Sequence, residues 1–277
     1  MINKKSVSSV SLAIRNTLFS SISNLPLLEK SNSEVLKVKI ANNLEERESV
    51  FKLAYQVYLD KGYINKNSNE WLVYPYDTNE NTAILIVQDA QKNVVGSITI
   101  LFDGTCKLPA DKIYKNELTI LRNSNKKIAE ISRLVISPAH RNSKNILVLL
   151  FNYTAIYTLH VKHFSDLIIE VNPRHQEYYK SILGFEEIGS EKPCPQVKNA
   201  PAILLNLPLK KYQEEVSRCH NSQASEKKER TLYHFSLKLE QETLIAQYLA
   251  RQTKAMTCNE KSYFGFSNSG FNQIVYN

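Results

Sequence analysis

Glycine is scarce in this chain. Seven glycines among 277 residues leave little material for a glycine-rich loop that cradles phosphate with bare backbone amides. The four cysteines, Cys106, Cys194, Cys219 and Cys258, include no C-x-x-C pair, so the spacing of a zinc or dithiol redox site is missing. No stretch reaches the roughly 18 apolar residues of a membrane-spanning helix, and residues 1–30 hold no unbroken apolar core of a signal peptide. No run of five like charges, no basic helix and no RNA-binding signature appears, which sets nucleic acid aside as a partner. These features together fit a reducing cytoplasm. What is present is an ordinary globular composition, 43% hydrophobic, with a net charge of +8 that favours acidic partners: a carrier protein, a nucleotide or an anionic membrane surface.

The pattern along the chain is α/β. Residues 1–34 are serine-rich and read as a loosely held arm with one amphipathic helix over 9–19. "VLKVKI" (35–40) alternates like a strand, and Asn42 or Asn43 is placed to cap a helix over 44–63. Residues 83–102 read as a hairpin turning at 89–93, 127–137 as a further strand, and 141–164 as a long, largely apolar helix. "DLIIEV" (166–171) reads as a short buried strand, 174–183 as a helix and 201–209 as a last strand. Residues 211–277 form a charged tail that favours helix over 236–256. The expected organisation is an arm (1–34), a core (35–210) and a helical tail (211–277).

"EVNPRHQEYYKSILGF" (170–185) stops a strand at Asn172-Pro173 and then starts a helix carrying a tyrosine pair. Proline donates no backbone hydrogen bond and biases its predecessor away from helix, so a ladder ends there. Strand, long helix, strand, Asn-Pro and tyrosine-bearing helix in this order resemble the GNAT acyltransferase superfamily. The resemblance implies a central mixed sheet flanked by helices, in which two neighbouring parallel strands splay around an acyl thioester. It also implies Tyr179, with Tyr178 as second choice, as the acid that protonates the departing thiolate, and Asn172 beside the substrate. From spacing alone, both tyrosines are as well explained as packing residues. The superfamily's R/Q-x-x-G-x-G/A pyrophosphate loop is degenerate: "RNSKNI" puts Lys144 and Ile146 where glycines belong. Arg141 and Lys144 remain candidates for a phosphate of phosphopantetheine.

Three segments narrow the resemblance: "WLVYPYDTN" (71–79), "AEISRLVIS" (129–137) and "EVNPRHQEYYKSILGFEEIGSEKPCPQVKNAPAILLNLPL" (170–209). Together they resemble the FeeM-type N-acyl amino acid synthases, relatives of the acyl-homoserine lactone autoinducer synthases. The resemblance implies transfer of a long-chain acyl group from acyl carrier protein, with acyl-CoA as an alternative donor, to the α-amine of an amino acid. No bound cofactor, metal or acyl-enzyme is called for. The protein is expected in the cytoplasm, with a peripheral contact at the inner membrane face as an option. Glu130 is carried over as the base and Arg133 as a fork for the acceptor carboxylate. Asp77 is carried over as a binding residue, and the amide of Val135 or Ile136 as the donor to the thioester oxygen. On a regular strand, however, Glu130 and Arg133 point to opposite faces, the pattern of unrelated structural contacts. Where the autoinducer synthases often carry arginine, Thr99 stands, which argues against S-adenosylmethionine as a substrate. A deep apolar tunnel beside the splayed strands is expected. The rival readings are a CoA-dependent N-acetyltransferase of small amines and a non-catalytic protein that binds carrier protein or membrane.

Overall fold

The computed structural model describes residues 35–221 and 231–266. The arm over 1–34 and its expected helix lie outside the described residues. A seven-stranded sheet runs in the order β1-β2-β3-β4-β5-β7-β6. Its strands are β1 (Lys37–Ile40), β2 (Thr82–Gln88), β3 (Val94–Phe102), β4 (Ile128–Ile136), β5 (Asp166–Val171), β6 (Glu186–Cys194) and β7 (Ala200–Pro208). Every neighbouring pair is antiparallel except β4 and β5.

Two helices cover one face. In α1 (Leu44–Asp60), Asn43 caps the start by accepting the Glu46 N–H at 2.9 Å, and Glu45 and Glu46 sit favourably at the positive end of the helix. Val50, Phe51, Leu53 and Ala54 of α1 are buried. Next to it lies α2 (Asp111–Asn123), whose Tyr114 and Leu118 are fully buried with Leu101, Ile128, Ile168 and Leu204. The opposite face receives α3 (Lys144–Ile156), which continues through a π turn at Tyr157–Val161. It comes so close to β3 that a Cβ on Gly96 would stand 2.6 Å from Ile146, so only glycine fits there. The helix expected over 141–164 begins at Lys144 instead, because Pro138–His140 forms a separate turn and Ser143 caps the helix through the Ile146 N–H at 3.4 Å.

Beyond β5, Asn172 accepts the Arg174 N–H at 3.2 Å and opens a turn into α4 (Gln176–Leu183), which Gly184 ends at φ 71°. The chain then builds the β6–β7 hairpin and α5 (Leu209–Asn221). The last described helices are α6 (Leu239–Ala250) and α7 (Cys258–Tyr263). They belong to the same compact unit as the sheet. α6 packs on α3 and its π turn. α7 is tied to α1 by a buried Arg47–Glu260 ion pair at 2.5 Å and by Phe264 packed edge-on against Phe51 at 4.9 Å. Among the described residues, no helix is long and apolar enough to cross a membrane.

Candidate active site

The β4–β5 ladder is short. It pairs Ile128 with Asp166 and ends at Ile131 opposite Ile169. Beyond that point β4 stays with β3 and β5 stays with β7, so the two parallel strands part. The gap opens onto a cavity of about 130 Å³. Its lining comes from β4 (Glu130, Ile131, Ser132, Arg133), β5 and the residue after it (Glu170, Val171, Asn172), and the β6–β7 turn (Cys194, Ala200, Ala202). Tyr58 and Tyr63, at the end of α1, and Tyr74 and Tyr76, in the segment before β2, complete the wall.

Glu130 and Arg133 reach this cavity together because β4 is bulged. Arg133 stands opposite Thr99 and Ile131 opposite Ile100, so Ser132 has no counterpart on β3. The extra residue resets the alternation, and Glu130, Arg133 and Val135 share one face with Leu101, Thr99 and Ser97. The opposite-face arrangement of a regular strand does not apply. Ser132 itself donates a hydrogen bond to the Tyr76 hydroxyl at 3.1 Å.

Glu130 is 2% exposed, and its Oε2 accepts the Ala110 N–H at 3.0 Å. Burial pushes its carboxyl well above the usual range, the nearby Glu170 pushes it further, and the Ala110 N–H pulls it back. Arg133 is also buried. Its Nη2 is bonded to Asp77 and its Nη1 donates to the Leu72 carbonyl at 3.0 Å, while the rings of Phe51, Tyr74 and Tyr76 lie 5.4–6.0 Å from its guanidinium carbon. The fork expected to receive an acceptor carboxylate is therefore engaged internally, and only Nε lacks a partner among the described residues. Asp77 is positioned by its turn: Oδ2 accepts the Tyr74 N–H at 2.7 Å, and Oδ1 takes Arg133. It is a partner of the arginine rather than a wall of the cavity.

The other expected residues fall into two sets. Asn172 lines the cavity. Tyr179 does not; its ring packs edge-on against Phe151 at 6.2 Å and Phe185 at 6.0 Å, and burial raises its phenol strongly. Tyr178 is 40% exposed. Tyr179 thus sits among packing contacts, whereas Tyr178 lies largely at the surface. Ser137 N–H bonds the Val95 carbonyl on β3 at 2.9 Å. Amides alternate sides along a strand, so that of Val135 turns to β3 as well and that of Ile136 away from it, and neither residue lines the cavity. Arg141 and Lys144 are exposed and outside the cavity wall. Arg141 and Arg174 both act on Lys61, whose ammonium is pulled down by burial first and then by these two charges. Arg174 joins this basic group to the cavity by donating to the Tyr63 hydroxyl at 2.6 Å.

The expected deep apolar tunnel is not found among the described residues. The space beneath α2 is filled by side chains, with the Tyr114 hydroxyl bonded to the carbonyls of Ala202 at 2.7 Å and Ser190 at 3.0 Å.

Residues 49–208 match the family model for the N-acyl amino acid synthase FeeM. The chain belongs to that family. It is an N-acyltransferase of the GNAT-like fold. Among solved structures, FeeM from uncultured soil microbes, an N-acyl amino acid synthase, is 28% identical over 66% of this chain and 95% of its own, with a TM-score of 0.57. The CoA-dependent acyl-homoserine lactone synthase BjaI is 13% identical over 66% of this chain and 87% of its own, with a TM-score of 0.51, a likeness of fold. No curated protein matches the chain. The matched segment of this FeeM-family chain contains every cavity residue, Tyr58 through Ala202, whereas α6 and α7 lie beyond it.

Site residues that sequence reasoning passed over are the four tyrosines of the wall, Cys194 and Glu170. A single carboxylate inside the apolar strand "DLIIEV", next to the Asn-Pro break, was the available signal for Glu170.

Proposed function

We propose that this FeeM-family chain moves a long-chain acyl group from an acyl carrier protein thioester to the α-amine of an amino acid. The amine attacks directly and the product is an N-acyl amino acid. The observation that carries this reading is a buried carboxylate, Glu130, at the point where β4 and β5 part. The ammonium must lose a proton before it attacks a thioester and the departing thiolate must gain one, and a desolvated carboxyl with a raised pKa suits such proton transfer. No nucleophilic side chain is required. Cys194, the thiol in the cavity wall, is held protonated, pushed up to about 11 by burial and by Glu170.

Carrier protein as the donor is supported by the basic group of Lys61, Arg141 and Arg174 next to the cavity and by the net charge of +8. The degenerate phosphate loop weakens acyl-CoA as the alternative donor. The same basic surface suits the anionic inner face of a cytoplasmic membrane, where a lipid product would be released. A cavity of about 130 Å³ holds a group about the size of benzene, so it accommodates the reacting centre. A long acyl tail would displace the apolar packing under α2.

The test is mass spectrometry of lipid extracts from bacteria producing the wild type or Glu130→Gln. The expected outcome is N-acyl amino acids in the first and about 100-fold less in the second, with both proteins folded. If purified wild type given acyl carrier protein and amino acids yields no amide, the reading is wrong.

A further inference from the structure

Glu170 lies on the same face of the sheet as Glu130. Glu130 stands in register with Ile168 on β5, and Glu170 is two residues further along. Both carboxylates line the cavity at the place where the strands separate. One oxygen of Glu170, Oε2, takes the Cys194 thiol at 3.6 Å. The other, Oε1, is enclosed and has no partner among the described residues. Arg133, the cationic residue of the cavity wall, is already committed to Asp77. The cavity wall thus holds two carboxyl groups and leaves one oxygen of Glu170 unsatisfied.

We infer that Glu170 takes the proton from the acceptor ammonium and that Glu130 carries the proton that the departing thiolate collects. This rests on the acyl-transfer reading above. The reaction balances around a pair that begins with one proton, on Glu130. The ammonium gives a proton to Glu170, and the free amine forms a C–N bond to the thioester carbon. As the C–S bond breaks, Glu130 protonates the sulfur. The second proton leaving the nitrogen passes to the pair, and one proton then goes to water. The amide, the thiol and the singly protonated pair remain.

The surroundings favour this division of labour. Burial raises Glu170 to about 7 against the opposing pull of Cys194 and Lys112, so it can give up and take a proton around neutral pH. Glu130 lies higher, because Glu170 and, more weakly, Asp111 and Asp103 add to its burial. Those two aspartates are held by Arg122 at 2.6 Å each. Facing Glu170 are Cys194, which lowers its pKa through the thiol hydrogen bond, and Lys112, which lowers it through charge. Tyr114, on the α2 side, stays a neutral phenol. Two neighbouring carboxyls whose surroundings separate their pKa values supply an acid and a base at one pH.

The experiment uses the full chain as wild type, Glu170→Gln and Glu130→Gln. Infrared difference spectra across pH follow the carboxyl bands. Glu130 is expected to titrate lower in Glu170→Gln, whereas Glu170 keeps its midpoint in Glu130→Gln. Kinetics with an acyl-pantetheine thioester should show a wild-type rate that rises as pH passes about 7. Glu170→Gln should lose that limb and at least about 100-fold in kcat. Glu130→Gln should keep the limb, lose about 100-fold with the pantetheine ester, and regain most of the rate with a thiophenyl ester, whose thiolate leaves without a proton. An unmoved Glu130 band in Glu170→Gln, or a Glu170→Gln enzyme that keeps the limb, overturns the inference. Wild type that turns over neither ester, with band shifts as expected, sinks the acyl-transfer reading and the two transfer roles but leaves the shared titration standing.

Discussion

At the scale of single residues, the site is a balance of buried charges. Glu170 is raised from 4.5 to about 7, so its burial carries no pH-dependent cost below the lower value and destabilises the fold progressively as pH rises from the lower value through the higher one. Wild type should therefore lose about 3 kcal/mol of this contribution between pH 4 and pH 8. Glu170→Gln should not, and urea unfolding at both pH values measures the difference. Asp77 and Arg133 pose the opposite case, an ion pair with side chains 0% and 3% exposed. Asp77→Asn leaves the guanidinium uncompensated, and a destabilisation of about 3–5 kcal/mol is expected. The double change Asp77→Leu, Arg133→Met should recover most of it, because two apolar groups replace two desolvated charges. Chemical denaturation of the three variants checks both statements.

At the scale of elements, the decisive feature is the extra residue in β4. Deleting Ser132 keeps Glu130, Arg133 and Val135 on their face but removes the bend that turns β4 from β5. A cooperative thermal unfolding transition with transfer reduced at least about 100-fold is expected, since a misplacement near 1 Å is enough for that. Circular dichroism and product formation by the same sample decide it. This feature also marks the limit of the sequence. "AEISRLVIS" identifies the strand, yet nothing in its alternation says that Ser132 is a bulge, so spacing alone sends Glu130 and Arg133 apart. The succession of strands and the Asn-Pro stop were legible, because they follow from apolar runs and from proline, and the splay was implied by the family resemblance. Helix α2 was not, since its sequence "DKIYKNELTILRN" is mostly polar and buries only a narrow stripe. Strand β6 was missed for a related reason. It is an edge strand with few apolar residues, and it packs through Gly189, where a Cβ would stand 2.7 Å from the Tyr114 ring. The tyrosines of the wall come from a helix end and a loop and converge only in three dimensions.

At the scale of the whole molecule, the segment beyond the family match acts as a brace. Gln252 accepts the Ile40 N–H of the edge strand at 3.0 Å, and Arg47 holds both Glu260 and the Lys254 carbonyl. Phe264 packs on Phe51, whose ring lies 5.7 Å from the Arg133 guanidinium carbon. Phe264→Ala should cost about 3–5 kcal/mol by opening a cavity in that stack. It should also lower transfer more than the loss of folded protein explains, which activity measured against the folded fraction in urea will test. The brace has a consequence in time as well as in space. Arg47 and Glu260 are 213 positions apart, and Glu130 and Glu170 lie between them. A growing chain carries both glutamates long before it carries the wall behind Arg133, so the site ripens late in translation, when the last described helix packs back on α1 and seals what was made first.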